Sequence, residues 1–519
     1  MKTKLFVCVS LFFFISFTNL ICIDYYVSPS GDDNNTGTEA LPFKTIQKGA
    51  DKAEGGEIVF IRAGVYNEHV ILKNNSNLIK DIRNYPGETP TIDGTGFDLR
   101  WGGVIEMIGQ SFLDIHGIRI INSSGAGIYV DSATGINIDS CYTYNTVSSG
   151  IGVWNSEGIR ISHNEVELAC NDGGQECITV SGTNGFFINN NYVHDGGPGT
   201  NGGEGIDTKG GSTNGEISGN IVINLQRLGV YVDSWDRWTF NIKVFNNLIH
   251  VCPNGIVLAA ENGGLLENIQ VFNNILYNNT FNGIYIANHG EPGAKHPMND
   301  IKIINNISFK NGVTWGGGIL NNNPEATNVV IRNNICSQNL SFQIALESIP
   351  AQNVTIDHNL IDGFRDYGDE VRGTDFVEAD PLFVDTAAKN FRLLVNSPAI
   401  DAGSPTDAPT VDFDNKPRPN GSGFDIGAFE YDYFVGFDDE ININNILNIK
   451  ISPNPFSDFC VIKSDNFSDI EIFDSFGRSI ARAKGELVWK PDGKFSDGVY
   501  YYTIRAGSII KSGKIILLR

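Results

Sequence analysis

Eight asparagines constrain this chain more than any other feature. Asn164, Asn191, Asn220, Asn247, Asn274, Asn306, Asn334 and Asn359 recur at intervals of 25 to 32 residues. Each sits just before a short apolar or β-branched pair, as HNEV, NNYV, GNIV, NNLI, NNIL, NNIS, NNIC and HNLI. A second strand-like segment recurs in every unit, as GIRI, GFFI, GEIS, NIKV, NIQV, DIKI, NVVI and NVTI. A unit of this length cannot bury its apolar face alone, so neighbouring units must stack. Three short strands per turn with an Asn at one tight corner describe a parallel β-helix from about Val104 to Asp362. The Asn column is expected to be structural, its amides hydrogen-bonding from coil to coil.

Composition agrees with an all-β chain, since 519 residues hold 58 glycines, 3 methionines and only 19% charged residues. The net charge of -23 argues against nucleic acid as a partner, because phosphate binding needs a basic surface. It also means that a polyanion could approach only through a local basic patch or bound cations. Residues 1–22 read as a signal peptide, with Lys2 and Lys4 before the apolar run LFVCVSLFFFISF. No other stretch is long and apolar enough for a transmembrane segment. The cysteines show neither CxxC nor metal-site spacing. Cys170 and Cys177 flank a Gly-rich turn and could pair in an oxidising compartment.

Chemistry concentrates between Gly174 and Arg237, which holds three turns of the repeat. Superposing Cys177–Ser181, Gly205–Lys209 and Gly229–Asp233 puts Ile178, Ile206 and Val230 in one inward column. Thr179, Asp207 and Tyr231 form one outward column, Ser181, Lys209 and Asp233 a second, and Glu176 stacks with Glu204 just before the strands. With rungs about 4.8 Å apart, Glu176, Glu204, Asp207, Lys209, Asp233, Arg227 and Asp236 share one face. Three inserts, 195–203, 263–266 and 289–298, are expected to leave the same edge of successive coils and wall a cleft over that face. Tyr231, Trp235 and His289 are the expected substrate contacts, and Trp154, Trp238 and Trp315 lie on or near the same strands.

Residues 23–395 are expected to form the β-helix with its N-terminal cap. YYVSPSGDD, then PFKTIQKGADKA with a helix over Lys44 to Ala53, then GGEIVFIRAGVYNE resemble the cap and first coil of secreted members of the pectate-lyase-like right-handed parallel β-helix superfamily. Residues 396–437, with NSPAIDAG and DIGAFEY, resemble the end module found after many such helices; Asp401, Asp412, Asp414 and Asp425 there fit turn and capping roles better than calcium. A linker, 438–448, follows. Residues 449–519 alternate as a small C-terminal β-sandwich. The order SPNP, FDSFGR, DGVYYY and GKIILLR looks like the C-terminal sorting domain of the type IX secretion system of Bacteroidetes. That resemblance implies the type IX machinery as a partner and a secreted or cell-surface location.

The site suggests three readings. Carboxylates beside Lys209 would keep it protonated and spoil it as a base, but Ca²⁺ held by Glu176, Glu204, Asp207, Asp233 and Asp236 would neutralise them. Lys209, aided by Arg227, could then remove the α-proton of a uronate in an acidic polysaccharide, as a lyase requires. GEGIDTKGG resembles the lysine-bearing strand of polysaccharide lyase family 9, whose calcium pocket is mainly Asp where Glu176 and Glu204 stand here. A glycoside hydrolase using paired carboxylates is the second reading, and a carbohydrate-binding solenoid without catalysis the third. The Asp-Pro-His signature of alginate epimerases is absent.

Overall fold

The structure is a computed structural model describing residues 24–172, 174–197, 202–349, 353–432, 450–453, 456–463, 469–474, 478–506 and 509–518. The signal segment 1–22 and the linker 438–448 lie outside the described residues. The chain divides into two compact units, Met1–Tyr433 and Phe434–Arg519. The first is the expected parallel β-helix, and its strands form three parallel sheets of 13, 11 and 13 strands. Each coil contributes one strand to each sheet in turn.

Register follows the superposition of the repeats. Ile178, Ile206, Val230, Ile256, Ile284 and Ile319 lie on successive rungs of the 11-stranded sheet. All six are fully buried, forming one aliphatic stack inside the coils.

The Asn column is an unbroken hydrogen-bond ladder. Each amide oxygen accepts both the backbone N–H and the Nδ2 of the Asn one coil earlier, at 2.9–3.0 Å, from Asn164 through to Asn359. Each Nδ2 also donates to a carbonyl of the preceding coil, as Asn247 does to Ile217. The corner requires a residue with φ between 51° and 66° just before each Asn, at His163, Asn190, Gly219, Asn246, Asn273, Asn305, Asn333 and His358. That left-handed turn explains why the repeats read NN, GN or HN. A second ladder, Asn279, Asn311 and Asn339 ending on Gln343, runs through the later coils.

The capping helix spans Ile46–Lys52, starting two residues later than expected because Thr45 is its N-cap and accepts from the Lys48 N–H. The Glu68 carboxylate takes the first two free N–H groups, those of Ile46 and Gln47. Gly49 allows the helix to sit close on the first coil; a Cβ there would lie 2.6 Å from Val27 Cγ2.

Residues 396–432 run back along the outside of the stack. Asn273, Asn305 and Asn333 donate to Val411, to Asp425 and Gly427, and to Ser404. Asp412 and Asp425 accept backbone N–H groups and Asp414 pairs with Arg392, the turn and capping work expected of them.

The second unit is antiparallel. Lys450–Ser452, Cys460–Lys463 and Glu486–Trp489 form one sheet, and Asp469–Phe473, Ser479–Lys484, Gly498–Ala506 and Ile509–Leu517 form the other. Phe456, Ile472, Trp489, Tyr500 and Ile515 belong to its core.

The ladder makes a direct prediction. Asn247→Leu removes one amide, so the Asn220 backbone N–H and one Asn220 Nδ2 hydrogen lose their acceptor and the Ile217 carbonyl loses its side-chain donor in a dry interior, while Asn274 Oδ1 keeps only the backbone N–H of residue 247. It should destabilise the helix by about 3 kcal/mol or more, since each orphaned buried polar group costs roughly 1–3 kcal/mol. An unchanged chemical-denaturation midpoint would show that the ladder contributes nothing to stability.

Candidate active site

Asp207 lies on the strand Ile206–Lys209, between Thr179 on the previous rung and Tyr231 on the next. Ser181 pairs with Lys209 in the same register. Side chains that alternation points away from the core are nevertheless buried. Asp207 is 1%, Asp233 2%, Glu204 4% and Glu176 5% exposed, because they sit at the bottom of a cavity of about 430 Å³. Glu176, Glu204 and Arg227 precede the strands on one side of it, and Trp235, Asp236, Arg237 and Glu261 follow them on the other.

The inserts do not share an edge. The 195–203 insert, of which 198–201 lie outside the described residues, comes between a strand of the third sheet, Tyr192–His194, and the N-terminal end of Ile206–Lys209. The 263–266 and 289–298 inserts instead follow the C-terminal ends of Ile256–Ala259 and Ile284–Ile286. They flank the site sheet from opposite sides, because the first precedes a site-sheet strand and the others come after one.

Lys209 is the centre of the charge cluster. Its Nζ lies 2.5 Å from Glu176 Oε1 and 3.3 Å from Asp207 Oδ2. Burial alone would lower its pKa, but Asp207 and Glu176 outweigh that and raise it. Arg227 pairs with Glu204 at 2.7 Å. Burial, with Glu176 nearby, still pushes the Glu204 carboxyl up to about 7. Asp233 is also raised to about 7, chiefly by burial and then by Glu261, although its Oδ1 accepts from the Trp235 N–H at 2.8 Å. Asp207 is raised as well, by burial first and then by Glu176 and Asp233 against the opposing pull of Lys209, and its Oδ1 is buried without a hydrogen-bond partner.

The cavity therefore holds Glu176, Glu204, Asp207, Asp233, Asp236 and Glu261 against Lys209, Arg227 and Arg237. Hard oxygen donors in excess, one of them unpartnered, are the chemistry that Ca²⁺ requires. These carboxylates border the cavity from both sides of the strands without closing on a point, and Lys209 stands between Glu176 and Asp207. Among the described residues, three ligand atoms come within 4.8 Å of one another only at Glu165, Glu167 and His194, on a different sheet.

Of the expected substrate contacts, Trp235 lines the cavity and is 37% exposed. Tyr231 also lines it but is buried, its hydroxyl donating to Glu261. His289 lies outside the lining, with Nε2 3.8 Å from Glu261 Oε1, and Asp236 stands exposed at the rim beside Arg237. Sequence reasoning missed Glu261 and Arg237. The former lies two positions beyond Ala259, the register partner of Asp233, so it falls outside the outward columns, whose next rung holds Val257 and Ala259. Cys170 and Cys177 do not form the expected disulfide; they are buried free thiols hydrogen-bonded to each other.

The family described as "Right handed beta helix region" matches residues 102–265 and 173–306, and "Secretion system C-terminal sorting domain" matches residues 450–518. An uncharacterized protein, YwoF of Bacillus subtilis, is 27% identical over 72% of this chain and 92% of its own length. Pectate lyase PEL9 of Emericella nidulans is 25% identical over 26% of this chain, a match spanning 36% of that enzyme. A solved structure of XylC with xylose superposes with a TM-score of 0.50 at 11% identity, covering 79% of this chain and 99% of that one. Among the described residues no helix is long and apolar enough to cross a membrane. The chain carries a right-handed β-helix region, and its C-terminal sorting domain makes it a secreted or cell-surface protein.

Proposed function

We propose that this chain is a carbohydrate-active enzyme, a polysaccharide lyase that cleaves an acidic, uronate-containing polysaccharide by calcium-assisted β-elimination. The observation that carries the reading is an amine, Lys209, held among buried carboxylates at the bottom of an open cavity. The similarity to pectate lyase PEL9 supports the substrate class. Glu176, Glu204, Asp207 and Asp233 would hold Ca²⁺, with Asp236 at the rim; when bound, the ion offsets their charge and draws electron density from the substrate carboxylate. Lys209 Nζ takes the proton α to that carboxylate, the released pair forms the C4–C5 double bond, and the C4–O bond breaks with the oxygen as leaving group. Arg227, on the side of the cavity opposite Trp235, steadies the carboxylate group and keeps Glu204 in place.

A hydrolase is the alternative, favoured by one observation: Glu204 and Asp233 are raised to about 7, where a general acid works. Incubation with acidic and neutral polysaccharides separates the two. The lyase reading expects an ultraviolet-absorbing unsaturated uronate product, lost with a chelator and reduced at least about a hundredfold in Lys209→Met. Its rate should climb with pH through the neutral range, because only the neutral amine accepts a proton. New reducing ends without the chromophore would transfer the assignment to hydrolysis.

Calcium binding has its own signature. The raised Glu204 and Asp233 favour the folded state fully only below their unfolded pKa values, and that contribution is lost as pH rises through about 7. Without divalent ions the Tm should therefore fall between pH 5 and pH 8, less so in Asp233→Asn. Ca²⁺ should restore more Tm at pH 8 than at pH 5, and Lys209→Met should bind it more tightly because a competing ammonium is gone. Equal Tm shifts at both pH values would count against a carboxylate site.

A further inference from the structure

Two rungs before Asp207, the outward column is occupied in an unusual way. Gly152 pairs with Tyr129 on one side and Thr179 on the other. A Cβ at Gly152 would lie 2.3 Å from Trp154 Cη2 and 2.5 Å from Cζ3, so the indole of Trp154 fills the space a side chain would take there. Tyr129 backs that indole, with ring centroids 4.8 Å apart and planes inclined by 28°. Trp154 itself is the register partner of Ser181, which lines the cavity and is in turn the partner of Lys209. The partly exposed indole thus adjoins the cavity, roughly 10 Å from Asp207 along the stack at about 4.8 Å per rung.

A cation reaches the same place from the other end. Arg237 follows the strand Val230–Asp233, and its side chain lies back across the preceding coil; a Cβ on Gly211 would be 3.3 Å from its Cβ and Cδ. A Cβ on Gly182, one coil earlier again, would be 3.7 Å from Arg237 Nη1 and 3.0 Å from Asn155 Oδ1. Gly182 directly follows Ser181, and Asn155 directly follows Trp154. The side chain of Arg237 is 63% exposed, and the carboxylate recorded beside it, Asp236, is 3.8 Å away. A planar aromatic surface and an accessible guanidinium therefore border the same short stretch of sheet, over Ser181 and Gly182.

We propose that Trp154, backed by Tyr129, and Arg237 form a second sugar subsite adjoining the Lys209 cavity, which stacks one uronate ring of the substrate chain and pairs its carboxylate. Aromatic faces hold flat, partly apolar rings, and a guanidinium is the donor that matches a carboxylate in a bidentate fashion. The occupant is the polysaccharide already engaged in the cavity, because Ser181 and Arg237 belong to both places. This subsite rests on the uronate reading above and adds a length and charge requirement to it.

Binding is measured by calorimetry in the Lys209→Met background, with size ladders of oligogalacturonate and oligomannuronate and their carboxyl-reduced forms. Trp154→Ala should weaken the longer oligomers of the bound series about tenfold, the scale of one stacking contact, and leave the shortest unchanged. Trp154→Phe, which keeps an aromatic face, should recover most of that loss. Arg237→Gln should weaken the acidic oligomers about tenfold, spare the carboxyl-reduced ones and flatten the dependence on salt. If otherwise wild-type protein releases the unsaturated product while all three variants bind every length as the background does, the subsite is wrong and the lyase reading stands. If the protein neither cleaves nor binds any of these glycans, the uronate reading falls and the subsite falls with it.

Discussion

The structure depends on the contact between one coil and the next. Parallel strands alone would tolerate a slip, and a slip of one residue would send every buried side chain to the opposite face. The buried amide ladder removes that freedom, because each Asn accepts two hydrogen bonds from the coil before it and donates to a carbonyl there. A displaced coil would leave these groups unpaired in a dry interior, where each is costly. The ladder runs on a different corner from the cavity, yet it fixes the register that places Asp207 above Thr179 and Lys209 above Ser181.

On that rigid frame the charge cluster is an anomaly. The outer face of a β-helix normally meets water, but here four carboxylates are at most 5% exposed. Burial raises Glu204, Asp207 and Asp233, so the fold holds these acids in an environment that resists their ionisation. Lys209 and Arg227 offset only part of this. Groups kept in such a state at the bottom of an open cavity make this the candidate functional site, since apolar side chains would make a more stable wall.

Much of this was legible in the sequence, and the reason is periodicity. The Asn steps, the inward aliphatic column and the outward column through Asp207 follow from spacing alone, because in a solenoid sequence distance converts directly into height along the stack. What escaped depends on side-chain reach or on chain direction. Arg237 acts two coils away from its own, a length that no column alignment reveals. The second ladder has only three Asn rungs, too few to stand out. The edges from which the inserts leave depend on which strand of the triplet precedes each one. The path of residues 396–432 along the side of the stack rests on Asn273, Asn305 and Asn333, whose backbone role masked a second role as donors to that segment.

The opposition between global and local charge follows from the same geometry. At -23, the chain as a whole repels a polyanion. Screening confines that repulsion to roughly 8 Å at physiological ionic strength, so the charges nearest the bound chain decide. Around the cavity those include Lys209 on the strand Ile206–Lys209 and, on the two sides of the next strand Val230–Asp233, Arg227 and Arg237. Two of them are tied to buried acids, and Arg237 extends across glycine positions toward Trp154. An acidic glycan laid along these coils would therefore meet the most exposed of these cations before it reached the half-buried amine, which gives the approach a direction that net charge alone does not.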